Sequence, residues 1–302
     1  MESVLILLST YNGEKYLEQQ LKSLINQCDV DVNILIRDDG SNDGTINILK
    51  KWEKIEKDKV KWYSGKNLKA AKSFMDLVNK AKVYKYYAYC DQDDVWDKNK
   101  LKVAIKEISK KKTKEGILYV STLDVVDKNL KFLRVKKIDR LYSLGESLIR
   151  NNVVGCTMVF DNYLLEKLKK YKPIYIDMHD SWTYKVCIST GGEVILDNNP
   201  YIKYRQHENN VIGAKKSVLT NINNRVKSIF SSQKIEKTRI AQELLDGYKD
   251  NIDNDNIILL TEFIDYKLSL KNKINIIRNK KINNGKIYQK ILFAIDILFE
   301  KF

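Results

Sequence analysis

An α/β fold with a mostly parallel central sheet flanked by helices is what the first 125 residues predict, and three observations predict it. Short apolar runs alternate with stretches of helical periodicity, the pattern of strand–helix–strand crossovers. The runs, such as Val4–Leu8 and Tyr86–Tyr89, are continuous rather than alternating, as strands buried on both faces require. Three polar clusters, Ser9-Thr10-Tyr11-Asn12, Asp38-Asp39-Gly40-Ser41 and Asp91–Asp94, sit at the ends of such runs. In open parallel sheets, ligands bind outside the carboxyl ends of the strands.

The elements follow in order. Val4–Leu8 is a strand, and Glu14–Gln27 a helix with Leu17, Leu21, Leu24 and Cys28 on one face. Val32–Ile36 is a second strand, and Thr45–Ile55 a helix turning Leu49, Trp52 and Ile55 inward. Val60–Tyr63 is a short strand; Ala70–Lys82 is a helix that groups Phe74, Leu77, Val78 and Ala81. Tyr86–Tyr89 is the strand that delivers the acidic run, followed by a helix over Asn99–Ser109 and a strand over Ile117–Val120. Residues 125–213 are less regular: a strand over Val153–Phe160, helices over Tyr163–Lys170 and Ser181–Ser189, strands over Glu193–Leu196 and Tyr201–Arg205. From about residue 214 the pattern is helical only, over Val218–Phe230, Ile235–Tyr248, Ile257–Ile277 and Lys286–Phe302. The predicted organisation is therefore residues 1–213 as one α/β domain, with halves at about 1–125 and 126–213, and a helical extension over 214–302.

Composition narrows the class. The chain has 302 residues, 43% hydrophobic, with two prolines and a net charge of +15, so it can bury a substantial core and calls for an anionic partner. Nucleotide phosphates, nucleic acid and an anionic membrane all meet that call; so does a plainly solvated lysine-rich surface. The cysteines, Cys28, Cys90, Cys156 and Cys187, are scattered in apolar contexts without zinc spacing, which reads as buried free thiols in a reducing, cytoplasmic compartment. Val4–Leu8 is too short for a signal peptide, and no apolar stretch approaches the length of a membrane span.

Chemistry concentrates at Cys90-Asp91-Gln92-Asp93-Asp94-Val95-Trp96. Carboxylates this close repel and raise one another's pKa. A divalent cation such as Mn²⁺ or Mg²⁺ removes that cost and leaves positions open for phosphate oxygens. The bland alternative is an acidic turn with Asp94 or Asp97 capping the next helix. There is no glycine-rich dinucleotide fingerprint and no Walker lysine loop, so the site is neither of those nucleotide sites.

Taken with Leu7–Gly13, Ile36–Thr45, Asn152–Met158, Met178-His179-Asp180 and Tyr204–Val211, that run resembles glycosyltransferase family 2, with the GT-A fold. The six segments occur in the family's order across about residues 1–213. The Asp-Gln-Asp-Asp-x-Trp form with the later Arg205-Gln206-His207 is most similar to bacterial rhamnosyltransferase-like members that build surface polysaccharides. The resemblance implies a metal-dependent, inverting hexosyl transfer from a nucleoside-diphosphate sugar, UDP- or dTDP-linked, to a glycan or lipid-linked acceptor. It implies that Thr10, Tyr11 and Asn12 line the base pocket, that Asp39 accepts from a pyrimidine N–H while Asp38 supports the turn, and that Asp91 reaches the ribose or metal shell. It makes Asp93 the direct metal ligand, Asp94 a ligand or buttress, His207 a late metal ligand or phosphate contact, and Arg205 a diphosphate contact.

Asp180 matches the family's catalytic base, a carboxylate that takes the acceptor hydroxyl proton as the new bond forms; the residue also suits a helix N-cap. Gly155, Cys156, His179 and Trp182 fall to the acceptor or sugar region, with Trp182 offered as a stacking platform because Ser181 stands where close relatives carry a tryptophan. Lys69 stands where many relatives have glycine, and it takes no role.

Two other classes compete. A nucleotidyltransferase would share the sheet and acidic site but calls for a glycine-rich phosphate loop, which Ser9–Gly13 is not. A basic nucleic-acid-binding protein is allowed by the charge, yet the basic residues are dispersed and no such motif is visible, so nucleic acid is not the expected partner. In the tail, Lys286–Phe302 groups Ile287, Ile291, Ile295, Leu298 and Phe302 on one face, with Leu292 and Phe299 adjoining and Lys286, Lys290 and Lys301 flanking. Such a helix serves either as a peripheral contact with the inner face of an anionic membrane or as packing against its own domain or a second subunit of a homo-oligomer.

Overall fold

The computed structural model describes residues 1–206 and 236–302. It is a mixed α/β fold built on a nine-stranded sheet. The strands are β1 (Glu2–Thr10), β2 (Val30–Asp38), β3 (Val60–Ser64), β4 (Tyr86–Cys90), β5 (Val95–Trp96), β6 (Ile117–Val126), β7 (Phe132–Lys136), β8 (Val159–Asp161) and β9 (Glu193–Arg205). Their order is β3-β2-β1-β4-β8-β6-β9-β5, with β7 paired to β6. β3, β2, β1 and β4 run parallel, which places the carboxyl ends of β1, β2 and β4 side by side.

The helices joining these parallel strands, α1 (Leu17–Ile25), α2 (Thr45–Ile55) and α3 (Lys69–Lys80), cover the sheet because their apolar stripes leave no other place to go. Val4, Ile6 and Leu8 pack in one cluster with Leu17, Leu21 and Leu24. Leu5 and Leu7 are buried too, on the opposite face by the alternation of a strand. The later helices are α4 (Lys100–Ile108), α5 (Leu144–Ile149), α6 (Asn162–Lys170), α7 (His179–Ser189), α8 (Lys237–Tyr248), α9 (Asn254–Ile264), α10 (Leu270–Arg278) and α11 (Ile287–Leu298).

Several predicted elements change. Val153–Phe160 is not one strand: a 3₁₀ turn occupies Gly155–Thr157, and only Val159–Asp161 pairs, antiparallel, with β4 and β6. Glu193–Leu196 and Tyr201–Arg205 merge into β9, which stays parallel to β6 through register shifts at Ser121, Thr122 and Asp124. Pro200 lies at the shift, where a residue without an N–H is tolerated. Ile257–Ile277 breaks into α9 and α10, because Ser269 is extended and caps α10 with its side chain. Helix α7 starts at His179, so Asp180 lies inside its first turn rather than at the cap. The sequence reading had no β5, β7 or α5. The helix predicted over Val218–Phe230 lies outside the described residues.

Contacts divide the chain into two units: Met1–Leu141, Asn152–Lys172 and Met178–His207; and Tyr142–Asn151, Pro173–Asp177 and Glu208–Phe302. The first is the sheet with its helices. In the second, Glu243 of α8 accepts from the backbone N–H groups of Ile174 and Tyr175 (both 2.9 Å), and the Ser143 hydroxyl donates to the Lys281 carbonyl (3.1 Å). Two short segments from the middle of the chain thereby join the helical unit. Among the described residues no helix is long and apolar enough to cross a membrane.

Candidate functional site

The loop after β1 is built as a cradle. The Thr10 hydroxyl donates to Gln92 Oε1 (2.6 Å), the Tyr11 N–H donates to the same oxygen (2.8 Å), and Gln92 Nε2 donates back to the Tyr11 carbonyl (3.0 Å). Gln92, the middle of the acidic run, therefore ties the β4 end to the β1 end. Asn12 takes a left-handed backbone (φ 48°); its N–H donates to Ser41 Oγ (2.9 Å) and its side chain accepts from the Asn42 N–H (2.9 Å). Thr10 is buried, whereas Tyr11 is 45% exposed and can offer its ring to a base.

Asp38 accepts from the N–H groups of Gly40 and Ser41 (3.1 and 3.0 Å) and from the Ser64 hydroxyl (3.0 Å), so its carboxylate organises the turn. Asp39 is buried against Arg37, and its oxygens accept from the N–H groups of Leu68 (2.8 Å) and Lys69 (3.0 Å) at the start of α3. The second of these oxygens retains a lone pair for a further donor. Lys69 has φ +66°, a conformation that favours glycine.

Asp91, Asp94 and Cys156 bring one ligand atom each within 4.8 Å of one another. Asp91 is half-buried, while Asp94 and Cys156 are buried. Desolvation first, then Asp93 and Asp180, pushes the Asp91 carboxyl up to about 7. Burial, then Asp93 and Asp91, pushes Asp94 well above the usual carboxylate range, and burial raises the Cys156 thiol likewise. Asp94 Oδ1 accepts from the Arg205 N–H (3.1 Å), and Oδ2 has no hydrogen-bond partner among the described residues. An orphaned carboxylate oxygen beside a second carboxylate offers ligand atoms that could hold a hard cation. Asp93, expected as the direct ligand, is not one of the three, although its charge is felt by both aspartates. His207 lies outside the described residues.

Asp180 is buried; its two oxygens accept from the Gly155 N–H (3.1 Å) and the Ser181 N–H (2.6 Å). The 3₁₀ turn is what presents Gly155 to it. A Cβ on Gly155 would stand 2.5 Å from His179 Nε2, so only glycine allows the approach. His179 is stacked on Phe74 (centroids 3.8 Å) and meets Tyr89 edge-on (4.9 Å). Neither ring nitrogen has a hydrogen-bond partner among the described residues, and burial holds its pKa down at about 3. His179 is a neutral wall behind Asp180.

Two expected roles are corrected. Arg205 was to contact the diphosphate, but its guanidinium is buried and committed: Nε donates to the Asp93 carbonyl (2.8 Å), Nη1 to the Lys128 carbonyl (2.6 Å) and Nη2 to Gln19 Oε1 (2.6 Å), over the Tyr16 ring. It braces the acidic loop. Trp182 was offered as a sugar platform, but it is fully buried in α7 and presents no face to a ligand. Cys28 is only half-buried, unlike the other three free thiols.

Sequence reasoning missed Gln92 and Lys100. Lys100 is fully buried with Nζ 3.5 Å above the Trp96 ring. Burial brings its pKa down to about 8, opposed by Cys156, Cys90 and Asp94, so a positive charge lies close to the acidic cluster. The pairing of Gln92 with Thr10 joins residues 82 apart in sequence, and no local pattern announces it.

Comparison with known proteins gives concordant matches. The family model described as Glycosyl transferase family 2 matches residues 5–184. The dTDP-rhamnosyl transferase RfbG of Shigella flexneri is 30% identical over 223 residues, covering 68% of this chain and 74% of that protein. The Escherichia coli UDP-Glc:alpha-D-GlcNAc-diphosphoundecaprenol beta-1,3-glucosyltransferase WfgD is 26% identical over 167 residues, covering 54% and 61%. Among solved structures, S. aureus TarS 1-349 in complex with UDP-GlcNAc superposes with a TM-score of 0.60 at 16% identity, covering 100% of this chain and 89% of that one; the fold is that of the GT-A transferases.

Proposed function

The chain belongs to glycosyl transferase family 2, and from that premise we propose that it moves a sugar from a UDP- or dTDP-linked donor to a glycan or lipid-linked glycan acceptor in bacterial surface polysaccharide synthesis. The transfer is a single displacement with inversion, carried out on the cytoplasmic side. The names of RfbG and WfgD support a dTDP or UDP donor; WfgD's name also supports a lipid-linked acceptor. The unit that holds the central sheet carries this reaction.

The observation that carries the reading is that Asp180 accepts from the Gly155 N–H (3.1 Å), one residue before Cys156, whose thiol lies within 4.8 Å of carboxylate oxygens of Asp91 and Asp94. Tyr11 stacks on the base and Asp39 Oδ2 takes its N–H. Asp91 and Asp94 would hold a divalent cation, Mn²⁺ or Mg²⁺; their oxygens suit a hard ion better than the Cys156 thiol does. When bound, such a cation supplies charge stabilisation for the departing diphosphate. Asp180, held in place by the Gly155 and Ser181 N–H groups, takes the acceptor hydroxyl proton as its oxygen attacks the anomeric carbon. Asp180 is given the proton and Asp91 and Asp94 the cation, a division of carboxylates that supports inversion.

The test is thermal stabilisation by UDP, dTDP, GDP and CMP with and without Mn²⁺, in the wild type and in Asp94→Asn. A pyrimidine diphosphate with Mn²⁺ is expected to stabilise the wild type by about 2.7 kcal/mol at a hundredfold excess over Kd, and the variant far less. Equal stabilisation without the metal, or an unaffected variant, overturns the metal-site assignment.

A further inference from the structure

We propose that the C-terminal helix α11 docks the protein on an anionic lipid surface, lying in the plane of the interface. This inference is independent of the reaction assigned above. It rests on which face of α11 the fold buries. The helix turns Phe293, Asp296 and Ile297 into its unit. The face richer in large apolar residues is left outside: Ile287 is 79% exposed, Ile291 55%, Leu298 49% and Phe299, just past the helix, 62%, with Tyr288 beside them. At about 100° per residue these five positions span an arc of roughly 120° that contains no charged side chain. A water-facing arc of that kind on a described helix is a surface awaiting an apolar partner.

The charge around the arc selects the partner. Lys290 borders it on one side, Lys286 precedes the helix and Lys301 follows it. From Leu270 to Phe302 the chain carries eight lysines and arginines against two acidic residues, and one of those two, Glu300, is already paired with Lys273 (2.6 Å). A second copy docked through the same face would bring two basic surfaces together, since a two-fold contact repeats the same patch on both sides. A bilayer containing anionic lipid instead offers an apolar layer for the arc and phosphates for the lysines. The helix has 12 residues, about 18 Å at 1.5 Å each. The hydrocarbon core is about 30 Å thick, so α11 lies along the surface and does not span it.

The test is flotation of the full chain with extruded vesicles of phosphatidylcholine alone or with about 30% phosphatidylglycerol, at low and high salt. The wild type is expected to float with the anionic vesicles, and raising the salt is expected to release it by screening the lysines. Ile291→Glu with Leu298→Glu, both on the exposed arc, should abolish flotation while leaving the melting temperature within a few degrees. Lys286→Gln, Lys290→Gln and Lys301→Gln together should weaken binding about a hundredfold, at roughly fivefold per charge. Wild-type protein that stays in solution with anionic vesicles, or a glutamate variant that floats as well as the wild type, overturns the proposal. So does a wild-type dimer in light scattering that the same glutamate variant converts to monomer, because it gives the face to a second copy.

Discussion

Replacing His179 with phenylalanine should make the protein resist mild acid better than the wild type does. The imidazole is buried behind Asp180, stacked at 3.8 Å on Phe74, and neither nitrogen has a hydrogen-bond partner among the described residues. Nothing there stabilises an imidazolium, and burial lowers its pKa from 6.5 to about 3. Between these two values the unfolded chain carries a proton on His179 that the folded chain rejects. The unfolded state therefore gains as pH falls through 6.5, and folded stability drops by up to about 1.4 kcal/mol per pH unit. Between about pH 7.5 and about pH 5 the wild type loses roughly 2 kcal/mol through this residue. Asp91, raised from 3.8 to about 7, acts in the opposite direction. It binds its proton more tightly when folded, and so costs stability as pH rises. It is present in both proteins, so the comparison cancels it. Phenylalanine keeps the stack and removes the titration. The assay is urea unfolding of both proteins at the two pH values, with equal m-values as the check on two-state behaviour. A wild-type-minus-variant difference that does not change with pH refutes the reasoning, because it means the ring is solvated or paired when folded.

The other predictions concern the reaction and the backbone. Asp180→Asn keeps an acceptor for one of the two N–H groups and should leave nucleotide stabilisation nearly intact while cutting turnover at least about a hundredfold; a variant that retains turnover places the base elsewhere. Gly13→Ala puts a Cβ 2.3 Å from Gln92 Oε1 and 2.8 Å from Thr10 Oγ1, which should open the Gln92 clamp. The expected cost is about 1–3 kcal/mol of stability and weaker nucleotide binding, read by urea unfolding and titration; no change in either would mean the clamp does not form. Lys69→Gly relieves a left-handed residue (φ +66°) worth about 1–2 kcal/mol, less roughly 0.5–1 kcal/mol for glycine's own entropy. A net gain of up to about 1.5 kcal/mol in unfolding free energy is expected, and a loss would show that the Lys69 side chain supports the fold.

The parallel half of the fold was legible because its signals are local. Thr45–Ile55 carries its apolar stripe at helical spacing and is a helix with the same bounds. Val4–Leu8 and Tyr86–Tyr89 are continuous apolar runs and lie at the centre of the sheet. The second half hid its strands. Val153–Phe160 is apolar throughout, yet the need for Gly155 to meet His179 and Asp180 bends it into a 3₁₀ turn. Helix α5 had a readable start in Ser143-Leu144-Gly145-Glu146, a capping box present in the structure. Strand β7 had no such signal, since it pairs only with β6.

The sequence by itself determined the α/β class, the order of the parallel strands' elements, and the chain positions where polar chemistry gathers, because hydrophobic period and strand ends are properties of neighbouring residues. Only the tertiary structure decided what each polar residue does there. Arg205 looks like a phosphate ligand in sequence, but it is buried and donates to Asp93, Lys128 and Gln19. Trp182 looks like a stacking platform until burial removes its faces. Cys156 joins Asp91 and Asp94 across more than 60 residues of chain. The face that α11 leaves to solvent likewise depends on the helices packed against Phe293 and Ile297, which the helix's own period does not specify. Partnership of this kind is set by long-range packing and by where each donor is satisfied, and no local pattern encodes it.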